Sequence, residues 1–371
     1  MSIPTTQKAV LIEGNAPVVK TGVPVPELTE GTVLIKVEAV AGNPTDWKHI
    51  AYKIGPEGSI LGCDVAGTIV KFGPNTSSDN LKVGDTVYTL LHGASVRHPE
   101  NGGFAEYARA SPDMLYKADL THTSENEIPE GTVKHFETAA SLGVSLTTAG
   151  VALSFHLGNK LLWNPPTPQH DHPILIWGGA AAVGQQLIQV AKKLNAYTKI
   201  ITVASKGKEE LLKSYGADDV YDYKDPDVIK KIKSKYTNIR HAIDGISNQD
   251  SFVQTYRTLA EEGDVTLLHL TMLSMRDIPE AERRDNVKIE GALLYLAFGT
   301  DVPFGAITVP AVPAYKPSTT GFIKFIAPHV QDGSIRHIPI KVFPNGLDDV
   351  PALTQGIKEG KNQGVKFVAR L

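Results

Sequence analysis

Ile174-Leu-Ile-Trp177 runs directly into Gly178-Gly-Ala-Ala-Ala-Val-Gly184, and that turn opens onto Gln185-Gln-Leu-Ile-Gln-Val-Ala-Lys-Lys-Leu194. A short run of large apolar residues reads as a strand buried on both faces, and the segment after the turn carries its apolar residues at helical spacing. A glycine turn between such a strand and a helix N-terminus leaves backbone N–H groups without intrahelical partners, and the helix dipole adds positive potential. Together they form a cradle for a pyrophosphate. Against G-x-G-x-x-G, Gly179 and Gly184 hold the ends, while Ala181 stands at the middle glycine, where its methyl is expected to crowd a diphosphate. Ala180, Ala182 and Val183 complete the loop. The competing reading is an alanine-rich turn that only packs a helix on a sheet; the flanking strand and helix favour the phosphate loop.

Downstream of this turn, apolar strands alternate with amphipathic helices over residues 199–204, 209–215 and 242–246, the βαβ signature of a doubly wound parallel sheet. Upstream, residues 137–157 have helical spacing. The first 130 or so residues are instead short β-branched or alternating runs broken by Gly, Pro and Asn, an all-β pattern. After residue 305 the pattern is mixed, with a helix near residues 320–330 and strands near 337–342 and 366–369. The simplest organisation is a β domain of residues 1–145 and 305–371 interrupted by a Rossmann domain of residues 146–304. The Pro-rich residues 163–173 read as a surface connection ahead of the first cofactor strand.

Nucleotide choice turns on the end of the second strand, where NAD-binding folds place an acid about 20 residues past the loop to hold the ribose hydroxyls. This chain has Ser205-Lys206-Gly207-Lys208 there. A hydroxyl and two cations suit a 2′-phosphate, which an acid would repel; a solvated helix start is the other reading of the lysines. NADPH is therefore the expected cofactor, with NADH possible. Tyr223 is placed to cover the adenine side, with a core or surface tyrosine as the alternative.

Composition narrows the class. With 371 residues, 42% hydrophobic and 21% charged, the chain suits two globular domains. No apolar run approaches the roughly 20 residues of a membrane span, and the N-terminus lacks a secretory pattern, so a cytoplasmic location is expected. A net charge of -3 with scattered lysines argues against nucleic acid. The single cysteine, Cys63, excludes an internal disulfide and a multi-cysteine metal cage.

Gly42-Asn-Pro-Thr-Asp46, Leu61-Gly-Cys-Asp-Val-Ala-Gly67, Val83-Gly-Asp-Thr-Val-Tyr88, Gly103-Phe-Ala-Glu-Tyr107, Ser145-Leu-Thr-Thr-Ala-Gly150 and the glycine turn occur in this order across nearly the whole chain. In that order they resemble the medium-chain dehydrogenase/reductase superfamily. The resemblance is to its zinc-lacking branch: quinone reductases, fungal trans-enoyl reductases and, above all, yeast alcohol-dehydrogenase-like aldehyde reductases. It implies a GroES-like β domain beside the Rossmann domain, and NADPH-dependent hydride transfer to a small carbonyl compound such as an aldehyde, enone or quinone. An enoyl reductase for a carrier-bound polyketide, and a cofactor-binding sensor or RNA-associated protein without turnover, are the alternatives. Asn43 stands where zinc-dependent members carry cysteine, and Cys63-Asp64 where they carry His-Glu, so no metal site is expected. The resemblance brings Asn43, Thr45, Lys48 and Thr148 to the nicotinamide side, Ser205, Lys206 and Tyr223 to the adenosine phosphate, and Ser247 and Lys366 to the cofactor. Thr45 and Lys48 are the expected catalytic residues, Lys48 as a cation near the substrate oxygen. A monomer or homodimer is expected, relatives often pairing through a strand near residues 291–296, although Pro303, Pro310 and Pro313 disfavour extending a sheet there. Ala369-Arg-Leu371 loosely matches a peroxisomal tripeptide but also fits a final strand.

Overall fold

The structure is a computed structural model that describes residues 3–304 and 307–371. The chain divides into two compact units, Met1–Thr147 with Tyr295–Leu371, and Thr148–Leu294. Residues 295–304, expected in the second domain, therefore group with the first unit.

In the first unit, Val33–Ala41 is the hub of an eight-stranded sheet. It pairs antiparallel with Asp64–Phe72, Tyr107–Ala110 and the last strand, Lys366–Arg370. Two register shifts against Asp64–Phe72, between Leu34 and Ile35 and between Val37 and Ala39, mark irregularities of the kind that bend and twist a strand. The buried side chains Val33, Ile35, Val37, Val65, Ile69 and Phe104 form its core. The C-terminal strand returns beside the hub, between it and Ile340–Phe343, and this burial takes in Phe367, Val368 and Ala369 on both faces of the sheet. Ala369 and Arg370 of the final tripeptide thus lie in the sheet.

The helix Pro44–Ala51 starts immediately beyond Val33–Ala41. Pro44 occupies its first turn, where the missing N–H costs nothing. Asp46 reaches back to accept from the Asn43 N–H at 2.7 Å, the acidic half of a capping box. Thr45, Lys48 and His49, at i, i+3 and i+4, consequently share one helix face.

The second unit is a six-stranded parallel sheet in the order Asp219–Asp222, Ile200–Ala204, Ile174–Trp177, His241–Asp244, Val265–His269, Val287–Gly291. In chain order this is 3-2-1-4-5-6, the dinucleotide-binding arrangement, whose switch point lies between Ile174–Trp177 and His241–Asp244. The inner strands Ile174–Trp177 and Ile200–Ala204 are buried along their whole length, as a sheet covered by helices on both faces requires, whereas the edge strands are only partly covered.

The helical spacing of residues 137–157 corresponds to Phe136–Ala140, Gly143–Val151 and a π-helical turn, Ala152–His156, in which the Leu157 N–H reaches the Ala152 carbonyl at 3.1 Å. Two expectations are revised. The strand placed near 291–296 stops at Gly291, and Leu294–Phe298 is a 3-10 turn. The strand placed from 337 begins at Ile340. Among the described residues no helix is long and apolar enough to cross a membrane.

Candidate functional site

In the second unit the turn after Ile174–Trp177 is shaped by glycine geometry. Gly178, not counted in the motif, is the residue with positive φ, +82°. A Cβ at Gly179 would collide with the Thr202 hydroxyl, and one at Gly184 with the Gly178 carbonyl. The two fingerprint glycines are thus required by strand and helix packing, and Gly178 by the reversal itself. Ala181 is the N-cap of Ala182–Lys193, at φ -65° and ψ 157°. Its backbone is one that any L-residue adopts, so alanine at the middle position costs the turn nothing. An alanine N-cap offers no side-chain acceptor, so the first N–H groups of the helix are left for an external anion. Ala180, Ala182 and Val183 line the turn, half-buried.

Beyond Ile200–Ala204 the half-buried Ser205 leads into a single turn, Lys206–Lys208, and its hydroxyl makes no capping hydrogen bond. Lys206 is exposed. The third strand pairs Asp222 with Ala204, which brings Tyr223, half exposed, beside Ser205. Asp222 is the acid at this edge, and its carboxylate accepts from the Lys224 N–H at 3.0 Å. Across the switch point Ser247 is held at φ 55°, donating to the Asp244 carbonyl at 2.6 Å and accepting from the Leu270 N–H at 2.7 Å. Its neighbour Ile246, a large apolar side chain left 44% exposed, packs where a Cβ on Gly178 would go. Orphan helix donors, an uncapped serine and an exposed cation converge at the carboxyl ends of the strands, which fits a nicotinamide dinucleotide. Thr148 is buried in Gly143–Val151.

The first unit contains a second constellation, built around the helix Pro44–Ala51. Thr45 Oγ1 lies 2.6 Å from the Tyr295 hydroxyl and 3.1 Å from His49 Nδ1. His49 Nδ1 is also 2.8 Å from the Thr45 carbonyl, so that nitrogen carries the proton and donates. His92 stacks on the Tyr295 ring at 3.8 Å, and Phe298 and Phe304 flank the two histidines. Burial dominates the electrostatics: it lowers His49, lowers His92 to about 3, and raises the Tyr295 phenol and the Cys63 thiol well above their ordinary values. At neutral pH all four are therefore uncharged. Burial also lowers Lys48. Among the described residues its ammonium has no hydrogen-bond or ion-pair partner, only the Trp47 ring at 5.7 Å.

Two of the expected cofactor contacts, Asn43 and Lys366, meet at a buried carboxylate. Lys366, 4% exposed, donates to Asn43 Oδ1 at 2.6 Å and to Asp64 Oδ2 at 2.9 Å. Asn43 in turn donates to Asp64 Oδ2 at 2.8 Å, and the Val144 N–H donates to Asp64 Oδ1 at 2.6 Å. Asp64 is fully buried, and a buried carboxylate demands a paired cation and satisfied lone pairs. That demand fixes Lys366 and Asn43. Tyr295, His49 and Asp46 were missed. His49 was legible as the i+4 neighbour of Thr45, whereas Tyr295 is brought in from far along the chain and left no local signal.

A dinucleotide cradle in a 3-2-1-4-5-6 sheet, carried by a chain that also folds a GroES-like β unit, defines a nicotinamide-dependent oxidoreductase. The sequence matches the family descriptions "Alcohol dehydrogenase GroES-like domain" over residues 29–120 and "Zinc-binding dehydrogenase" over residues 182–296. It is 55% identical over 372 residues to the uncharacterized protein YNL134C of Saccharomyces cerevisiae, covering 100% of this chain and 99% of that one. It is 30% identical over 367 residues to the trans-enoyl reductase ACTTS2 of Alternaria alternata, covering 99% of each. The quinone oxidoreductase of Coxiella burnetii has the same fold, with a TM-score of 0.67 at 22% identity over 99% of each chain. The chain belongs to the medium-chain dehydrogenase/reductase superfamily.

Proposed function

We propose that this protein is a zinc-independent, NADPH-dependent reductase of small carbonyl compounds: aldehydes, enones or quinones. The observation that carries the cofactor choice is the end of the second strand, where Ser205 and the exposed Lys206 stand in place of an acid. NADPH, when bound, supplies the hydride. The chain's own residues supply the rest. The helix N-terminus at Ala182 and Val183 holds the pyrophosphate, and Ser205 with Lys206 holds the 2′-phosphate.

Zinc independence is supported by the donor set. Asn43 Oδ1 and Asp64 Oδ2 already accept from the Lys366 ammonium, and Cys63 is held as a neutral thiol by burial. A divalent ion at these residues would have to displace a buried cation, so they do not fit zinc. Polarisation of the substrate oxygen then falls to Lys48, a partly desolvated ammonium. The Thr45 hydroxyl, held by Tyr295 and His49, is positioned to relay a proton from solvent to that oxygen, taking up a solvent proton as it gives up its own. The aromatic surfaces of His92, Tyr295, Phe298 and Phe304 suit a conjugated, planar substrate.

The relative named as a trans-enoyl reductase supports a second reading, reduction of a carbon–carbon double bond conjugated to a thioester. Incubation of the purified protein with NADPH and a panel of aldehydes, enones, quinones and an enoyl thioester decides between them. Oxidation of NADPH with the first three classes is expected; turnover confined to the thioester would favour the second reading, and none at all would overturn both.

A further inference from the structure

At the end of the parallel sheet opposite the glycine turn, the second unit brings three histidines together. His170 and His172 lie in the Pro-rich connection, and His241 opens the strand His241–Asp244, opposite Ile174 in the neighbouring strand. Their ring centroids are 5.2, 4.9 and 4.8 Å apart at interplanar angles of 41°, 72° and 87°, so none of the pairs is stacked. Each ring offers a nitrogen within 4.8 Å of the other two.

The outer partners orient these rings. His172 Nδ1 donates to the Pro173 carbonyl at 3.0 Å, which leaves its Nε2 as a lone pair. His241 Nδ1 lies 2.9 Å from the Tyr197 hydroxyl, whose oxygen also accepts from Asn159 Nδ2 at 3.1 Å. His170 Nε2 is buried with no hydrogen-bond partner. A buried, unpaired ring nitrogen carries a desolvation cost and calls for an explanation.

We propose that His170, His172 and His241 bind one zinc ion, with water in the fourth position, and that this ion braces the Pro-rich connection against the cofactor sheet. Imidazole nitrogen is a preferred zinc ligand, and histidines that ligate metals are usually fixed by a hydrogen bond from the other ring nitrogen. With zinc about 2.0–2.1 Å from each nitrogen, tetrahedral angles put the ring centroids roughly 5 Å apart. The observed centroid separations match this spacing. The carboxylate of Asp171, next to His170, supplies negative charge nearby. The site sits at the amino ends of Ile174–Trp177 and His241–Asp244, whereas the glycine turn follows their carboxyl ends. The ion is therefore structural and takes no part in hydride transfer.

The test uses tag-free, full-length protein stripped with a chelator and titrated with zinc chloride by calorimetry and thermal melting. One zinc per chain and a melting temperature raised by several degrees are expected. His170→Ala and His241→Ala should each weaken binding at least about tenfold and abolish the thermal shift, while the initial rate of NADPH oxidation by His170→Ala stays at the wild-type value. Cobalt(II) in place of zinc should give a tetrahedral visible spectrum in the wild type and none in the variants. The proposal is overturned if folded wild-type protein shows no saturable zinc binding, if both variants bind zinc as tightly as wild type, or if His170→Ala loses turnover.

Discussion

Lys48, Lys366 and Asp46 show how burial assigns different work to ionisable groups. Lys48 is partly desolvated and lacks an acceptor among the described residues, so its charge is available to a substrate oxygen. Loss of one preorganised donor typically costs about a hundredfold to a thousandfold in rate, and Lys48→Ala is expected to fall in that range with NADPH binding retained. Steady-state kinetics with the best substrate of the panel measures it, and a loss below about tenfold would transfer the role to Thr45. Lys366, by contrast, is spent on Asp64. Lys366→Met strands a buried carboxylate and should destabilise the chain by about 3–5 kcal/mol in urea unfolding, with the dissociation constant for NADPH little changed. Adding Asp64→Asn should restore much of that loss. A variant of unchanged stability that binds NADPH poorly would return Lys366 to the cofactor.

Asp46 yields a pH prediction. Burial, reinforced by the nearby Asp64 charge, raises its carboxyl from 3.8 to about 7 against the opposing Asn43 N–H. Between those values the folded chain holds a proton that the unfolded chain has released, so the stability contributed by this group falls as pH rises from about 4 to 7 and levels off above. Asp46→Asn removes that titration. Its stability relative to wild type should improve steadily across the same window in denaturant titrations, and parallel curves would show that Asp46 does not titrate there.

At the scale of elements, the proposed nucleotide selection rests on one turn, the end of Ile200–Ala204 running into Lys206–Lys208. Lys206→Glu places an acid where NAD-binding folds carry one. The variant should lose affinity for NADPH while affinity for NADH holds or rises, read as two dissociation constants from fluorescence titration. Equal wild-type constants for both cofactors would mean that this turn does not select. The helix Pro44–Ala51 is a second such element: its cap at Asn43 and Asp46 sets the face on which Thr45, Lys48 and His49 appear together.

At the scale of the whole molecule, catalysis and metal binding are proposed to be separate. Lys366 fills the position between Asn43 and Asp64, and the histidine cluster lies in the other unit, away from the glycine turn. Treatment with a strong chelator should therefore leave the initial rate of NADPH oxidation unchanged at moderate temperature, while lowering the melting temperature. A rate that collapses on chelation and returns with zinc would refute zinc independence.

Much of this architecture was legible along the chain because it is written in local periodicity. The buried run Ile174–Trp177, the glycine turn and the helix after it specify a dinucleotide fold through steric and hydrogen-bonding rules that act within a few residues. The absence of an acid at Ser205-Lys206 is equally local. Other features depended on distant residues meeting. Lys366 reads as a cation near the last strand, and only the pairing of that strand with Val33–Ala41 buries it against Asp64. Tyr295 reaches Thr45, and His241 reaches His170 and His172, through sheet and loop packing that no spacing in the sequence encodes. Periodicity determines which elements form, whereas the partner of a buried polar group is decided by which elements the tertiary fold brings together.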